Sequence, residues 1–143
     1  IQKMFRKYGL PEESFSVTGN LSYDDVKDYI SAADIGLSAV PPTPSQRYRS
    51  PTKVAEYLLC GLPYITCEGV SEDDIYAKKH NVGAVVKSFE EDDVLAGVSQ
   101  IHQLLNENTG SLKKRCREVG ILYRGKSNVD QLFEQIFQET YFN

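Results

Sequence analysis

Cysteine is scarce in this chain. Cys60, Cys67 and Cys116 are odd in number and widely spaced, and two of them fall in apolar periodic positions. Such residues read as buried thiols of a reducing compartment, with neither a disulfide framework nor metal-ligand spacing, and no metal is expected. Long apolar runs are lacking too. None approaches the ~18 residues of a membrane span, and no signal-peptide pattern is present. Positive charge is not in surplus: the formal net charge is −4, which argues against nucleic acid or an anionic membrane as the main partner. No Gly-x-Gly-x-x-Gly pattern follows a predicted strand, which lowers the case for NAD or FAD. What remains is 143 residues, 41% hydrophobic and 25% charged, the profile of one ordinary globular domain. A chain of this size buries roughly two-thirds of its unfolded surface, enough for a core without staples.

The most informative stretch runs from Ser50 to Cys67. Ser50 is a good N-cap residue, and Pro51 suits a first helical position, where its missing N–H costs nothing. Val54, Leu58 and Gly61 share one face; Lys53, Glu56 and Cys60 share another. Gly61 supplies a left-handed end, Pro63 forbids continuation, and Tyr64-Ile65-Thr66-Cys67 reads as a buried parallel strand. A helix start presents unpaired N–H groups and a positive dipole end, which together favour a phosphate. Glu56 stands five residues beyond Pro51, so its Cα lies roughly 8 Å along the axis. That is about the step from a diphosphate to its ribose, and a carboxylate there can accept from two vicinal hydroxyls. On spacing alone, a capped structural helix with a solvated Glu56 accounts for the same residues.

Ser-Pro-Thr-Lys-Val-Ala-Glu-Tyr-Leu-Leu-Cys-Gly-Leu-Pro-Tyr-Ile, followed by Gly69-Val70, resembles the donor-binding segment of group 1, retaining GT-B glycosyltransferases. Upstream, Val17-Thr18-Gly19-Asn20-Leu21-Ser22 and Tyr29 to Ser38 resemble that family's strand, glycine turn, helix and next strand, so the resemblance spans residues 14 to 90. It implies the C-terminal, nucleotide-sugar-binding half of such an enzyme. Gly19, Arg47, Arg49, Ser50, Pro51, Thr52, Lys53 and Glu56 would contact the donor, with Lys53 and Glu56 nearest the chemistry. The position of the family's earlier glutamate falls on Tyr48, a departure shared by members with a Pro-x-Lys-x-x-Glu-Tyr version of the segment. The hold on the sugar ring would then pass to Lys53, Arg47 or Arg49. A nucleotide sugar is implied as the donor substrate, with no separate cofactor. A glycan or lipid-linked acceptor would be bound through a missing N-terminal domain. The implied location is cytoplasmic, at or near the inner face of a membrane. Two other readings stay open: a nucleotide-sugar 2-epimerase-like GT-B enzyme, and a non-enzymatic α/β interaction domain.

In chain order, Ile1, Met4, Phe5 and Tyr8 follow helical spacing from the outset without a cap, so a fragment of a longer protein is expected. Residues 14 to 18 read as a strand closed by Gly19-Asn20, Ser22 caps a helix, and residues 35 to 40 form another strand. A loop with three prolines, residues 41 to 49, carries Arg47 and Arg49 up to the Ser50 helix start. Further strands are expected at 64–67 and 83–86, and helices at 72–79, 92–106, 111–124 and 128–140. The acidic run Glu90 to Asp93 reads as helix N-terminal charge, not a metal ligand set. His80 reads as a helix-end residue facing free carbonyls and His102 as a surface residue. The last helix carries Val129, Leu132, Phe133, Ile136 and Phe137. The resemblance implies that the chain end, with Tyr141 and Phe142, crosses back to the missing domain. Strands alternating with helices predict an α/β, Rossmann-like parallel sheet with helices on both faces, one half of a GT-B fold by resemblance, with ligands outside the strands' carboxyl ends.

Overall fold

A computed structural model describes residues 2–141; Ile1, Phe142, Asn143 and the side chains of Val129, Glu139, Thr140 and Tyr141 lie outside the described residues. Three parallel strands stand side by side in chain order: β1 (Gly36–Ser38), β2 (Tyr64–Cys67) and β3 (Gly83–Val86). Around them lie α1 (Gln2–Lys7), α2 (Tyr23–Ser31), α3 (Thr52–Leu59), α4 (Asp73–His80), α5 (Glu91–Leu105), α6 (Thr109–Arg124) and α7 (Lys126–Tyr141). The fold is α/β with a Rossmann-like parallel sheet flanked by helices.

The sheet has two unlike faces because successive side chains alternate. On one face Gly36, Ser38, Tyr64 and Thr66 meet α3 and its neighbours, and Val54, Leu58 and Tyr64 are fully buried. The helices approach closely here. A Cβ on Gly36 would lie 2.3 Å from a ring carbon of Tyr57, and one on Gly120 of α6 would lie 3.0 Å from the backbone of Leu58. On the other face α5 covers β3, where a Cβ on Gly97 would lie 2.7 Å from Val86. Ile35 and Leu37 at the β1 end stay exposed, at 38% and 57%, beside an apolar cavity of about 360 Å³ that Ile65, Phe89, Val94 and Val98 also line. Cover is therefore complete on the first face and partial on the second.

The α3–β2 joint follows its local chemistry closely. Gly61 adopts φ +78°, the Gly61 N–H donates to the Leu58 carbonyl at 2.9 Å, and the Leu62 N–H donates to the Tyr57 carbonyl at 2.8 Å. These two bonds satisfy carbonyls that the helix end would otherwise strand, and they turn the chain into β2. At α2 the expected cap is present: Ser22 Oγ accepts from the Asp25 N–H at 3.2 Å. The acidic run opens α5, with Glu90 as N-cap.

Three expectations need correction. Residues 14 to 18 form no strand: Glu12–Ser14 is a short 3-10 turn, and the extended chain after it pairs with no strand of the sheet. Phe15 instead packs on Phe5, ring centroids 4.8 Å apart, and Val17 stays half exposed. A strand needs a neighbouring ladder as well as alternation, and this segment finds its apolar partner in α1. Ser50 is not the cap of α3. Pro51 holds that position and Thr52 is the first helical residue. His80 does not meet free carbonyls; its Nε2 lies 2.9 Å from the Tyr123 hydroxyl, under which Tyr76 stacks at 4.0 Å.

The thiols divide by environment. Cys67 and Cys116 are buried, and burial pushes both thiols up, Cys116 to about 12, whereas Cys60 is partly open. Because the thiolate is the reactive form, native protein at pH 8 is expected to take up one equivalent of a thiol reagent promptly, at Cys60. The other two should react only after denaturant is added. Peptide mapping of the alkylated protein checks the order.

Candidate functional site

The parallel strands place three chain crossings at the sheet's carboxyl edge: residues 39 to 51 after β1, residues 68 to 72 after β2, and the loop after β3. Ligands of open α/β sheets gather at such an edge. Two helix starts face it, those of α3 and α4, and the end of α6 joins them.

At α3, Thr52 and Lys53 are exposed. Their amides stand in the first turn, where a helix offers no carbonyl partner, so the amino end of α3 is open to a ligand rather than sealed within the protein. Glu56 is exposed one turn further and rims a groove of about 190 Å³ between α2 and α3, shared with Tyr23, Lys27, Ile30 and Cys60. Glu56 thus stands on the same helix as Thr52 and Lys53, and its side chain borders a cleft.

The other expected residues are placed less uniformly. Arg47 lies in a 3-10 stretch, Pro44–Tyr48, and turns toward Asp74 of α4, 3.5 Å away. Arg49 and Tyr48 are exposed, Tyr48 at 91%. Ser50 Oγ accepts from Arg124 Nη1 at 2.6 Å instead of capping α3. Gly19 takes φ +71° in an exposed turn before α2. Since no strand precedes that turn, the sheet does not direct Gly19 to the carboxyl edge.

Several residues that gave no local signal dominate the interior of this edge. Asp73, the first residue of α4, is wholly buried and accepts from Arg124 Nη2 at 2.8 Å. Its backbone carbonyl accepts from the Tyr64 hydroxyl at 2.6 Å. Burial raises the Asp73 carboxyl above the usual carboxylate range against the downward pull of Arg124, and burial raises the Tyr64 hydroxyl as well. The Arg124 guanidinium lies 5.9 Å over the Tyr76 ring. Burial, with the hydrogen bond to Glu72, pushes the Tyr76 hydroxyl up to about 12. Asp74 ties the first turn of α4 to the loop after β2: its carboxylate accepts from the Ile75 N–H at 2.8 Å and the Gly69 N–H at 2.9 Å. The loop before α3 docks on the same corner, where the Ser71 N–H donates to the Gln46 carbonyl at 3.0 Å. One framework thus fixes the 41–51 loop, the start of α4 and the end of α6.

No family model, curated protein or solved structure matches the chain.

Proposed function

We propose that the chain is the donor-nucleotide-binding part of a retaining glycosyltransferase of GT-B type. The observation that carries this reading is the open start of α3 at the sheet's carboxyl edge, with Glu56 exposed beyond it on the rim of a groove. In this reading the amides at Thr52 and Lys53 hold a diphosphate, with Ser50 and Pro51 shaping their approach. Glu56 accepts from the ribose hydroxyls. Lys53 and the nearby Arg49 face the negative charge that grows on the departing diphosphate as the sugar leaves, the kind of stabilisation that lowers such barriers most. Arg47, drawn toward Asp74, reaches a ligand only by leaving that partner.

The acceptor and the remaining machinery belong, in the same reading, to a second domain. Leu132, Phe133 and Ile136 on α7 are each more than half exposed, a stripe that supports contact with further protein. The chain by itself then binds nucleotide weakly and transfers nothing.

Calorimetric titration with a panel of nucleoside diphosphates tests the proposal. Wild-type protein is expected to bind at least one of them, and Glu56→Ala to bind it roughly tenfold to a hundredfold more weakly, the loss of hydrogen bonds to a charged acceptor. Equal binding by the two proteins would remove Glu56 from the site. Absence of binding by wild type to every nucleotide would favour an α/β interaction domain instead.

A further inference from the structure

Arg124 closes α6, and its guanidinium joins two elements that are remote in sequence. Nη2 donates to the buried Asp73 carboxylate at 2.8 Å, and Nη1 donates to Ser50 Oγ at 2.6 Å. Asp73 is itself anchored: its side chain is wholly buried, and its carbonyl accepts from the Tyr64 hydroxyl in the core. Tyr76 under the guanidinium, stacked in turn on Tyr123, restricts the remaining freedom of the arginine. The planar fork of arginine suits such a role, because two donors fixed at one angle hold two acceptors at one separation. Ser50 immediately precedes Pro51, the residue from which α3 starts. No side chain caps α3, so nothing within the helix itself sets the direction in which its first amides point. The loop before it is tied down by the Gln46 to Ser71 bond and the Arg47–Asp74 pair, and at its last residue before Pro51 by the link between Arg124 and Ser50.

From this geometry we infer that Arg124, anchored by Asp73, is a positioning residue: it acts through Ser50 to fix the entry of the chain into α3, and so aims the free amides of Thr52 and Lys53 at a diphosphate. The ligand role rests on the reading given under Proposed function, whereas the latch itself does not. Arg124 need not touch the ligand. Its contribution is to hold the helix mouth in one pose before anything binds, so that ordering is not charged against affinity.

Two variants spare the core. Ser50→Ala removes only the last link and leaves the Arg124–Asp73 pair intact. Arg124→Lys keeps a cation beside Asp73 but cannot hold both acceptors at once. Hydrogen exchange is read at Arg49 and Val54, whose amides are bonded within the loop and to Pro51, and at Tyr64, bonded to Val82 in the sheet. In both variants exchange at Arg49 and Val54 is expected to quicken about tenfold, with Tyr64 unchanged. Affinity for the nucleoside diphosphate bound by wild type is expected to fall about tenfold, while affinity for the corresponding unphosphorylated nucleoside stays the same. Unchanged exchange at Arg49 and Val54 would overturn the latch. Faster exchange there with unaltered diphosphate affinity would overturn its part in binding. If wild type bound no nucleoside diphosphate yet the exchange result held, the donor-site reading would fall and the latch would stand.

Discussion

Arg124→Met is expected to cost the fold about 3–5 kcal/mol, because it strands a charged Asp73 in a site with no solvent exposure. The loss should be far smaller in the double variant Asp73→Leu/Arg124→Met, where apolar groups replace both charges and neither desolvation penalty remains. Urea unfolding of the two variants side by side separates these outcomes, and equal losses would show that packing, not the stranded charge, dominates. The single variant also has a pH signature. Burial already raises the Asp73 carboxyl in the folded state, and removing Arg124 removes the group that pulls it down. The folded state of the variant therefore binds a proton more readily than the unfolded chain. Its penalty is fully present above the raised folded value, shrinks as pH falls through that value, and is gone below the ordinary aspartate value of about 3.9. The deficit relative to wild type should accordingly narrow on acidification from neutral pH.

Gly36→Ala is the second change with a large expected effect. The added Cβ would sit 2.3 to 2.6 Å from three ring carbons of Tyr57, well inside contact distance. Tyr57 is half-buried against the core and donates its hydroxyl to the Leu37 carbonyl at 3.3 Å. The ring must therefore leave its place on β1, or α3 must lift. Overpacking of this kind is expected to cost about 3 kcal/mol and roughly 10 °C in Tm for a chain of this size. Calorimetric scans of Gly36→Ala check the magnitude. Tyr57→Leu in the same background, which removes the ring that clashes, should recover part of the loss. A Gly36→Ala protein as stable as wild type would mean that α3 is free to move away from β1.

Parts of this structure were legible because a local cause produced them. Strands β2 and β3 begin and end where the sequence placed them, since each is a short apolar run bounded by glycine, proline or a charged turn. The end of α3 was readable for the same reason: Gly61 and Pro63 leave the chain little choice. The expected strand at residues 14 to 18 failed because alternation is only half of a strand; the other half is a neighbour with free backbone groups, and that neighbour is not encoded nearby. Ser50 failed as a cap because it had a stronger competitor for its oxygen. Arg124 lies 74 residues away from it, at the end of a helix that in sequence looked merely basic. Asp73, 51 residues from the same arginine, gave no local signal at all. Pairings of this kind arise only once the helices have packed, and no spacing rule reports them.

The strand order carries a consequence for how the chain assembles. Each strand pairs with the one made just before it, so no strand has to be threaded between two that are already joined. Each pairing is therefore separated in sequence by a single crossover, residues 39 to 63 between β1 and β2 and residues 68 to 82 between β2 and β3. The longer-range contacts belong to α6, which brings Gly120 against Leu58 and Arg124 to Asp73. Asp73, with no solvent exposure, finds its countercharge in Arg124 at the far end of that helix, so the interior built by β1, β2 and β3 is electrically complete only with α6 in place.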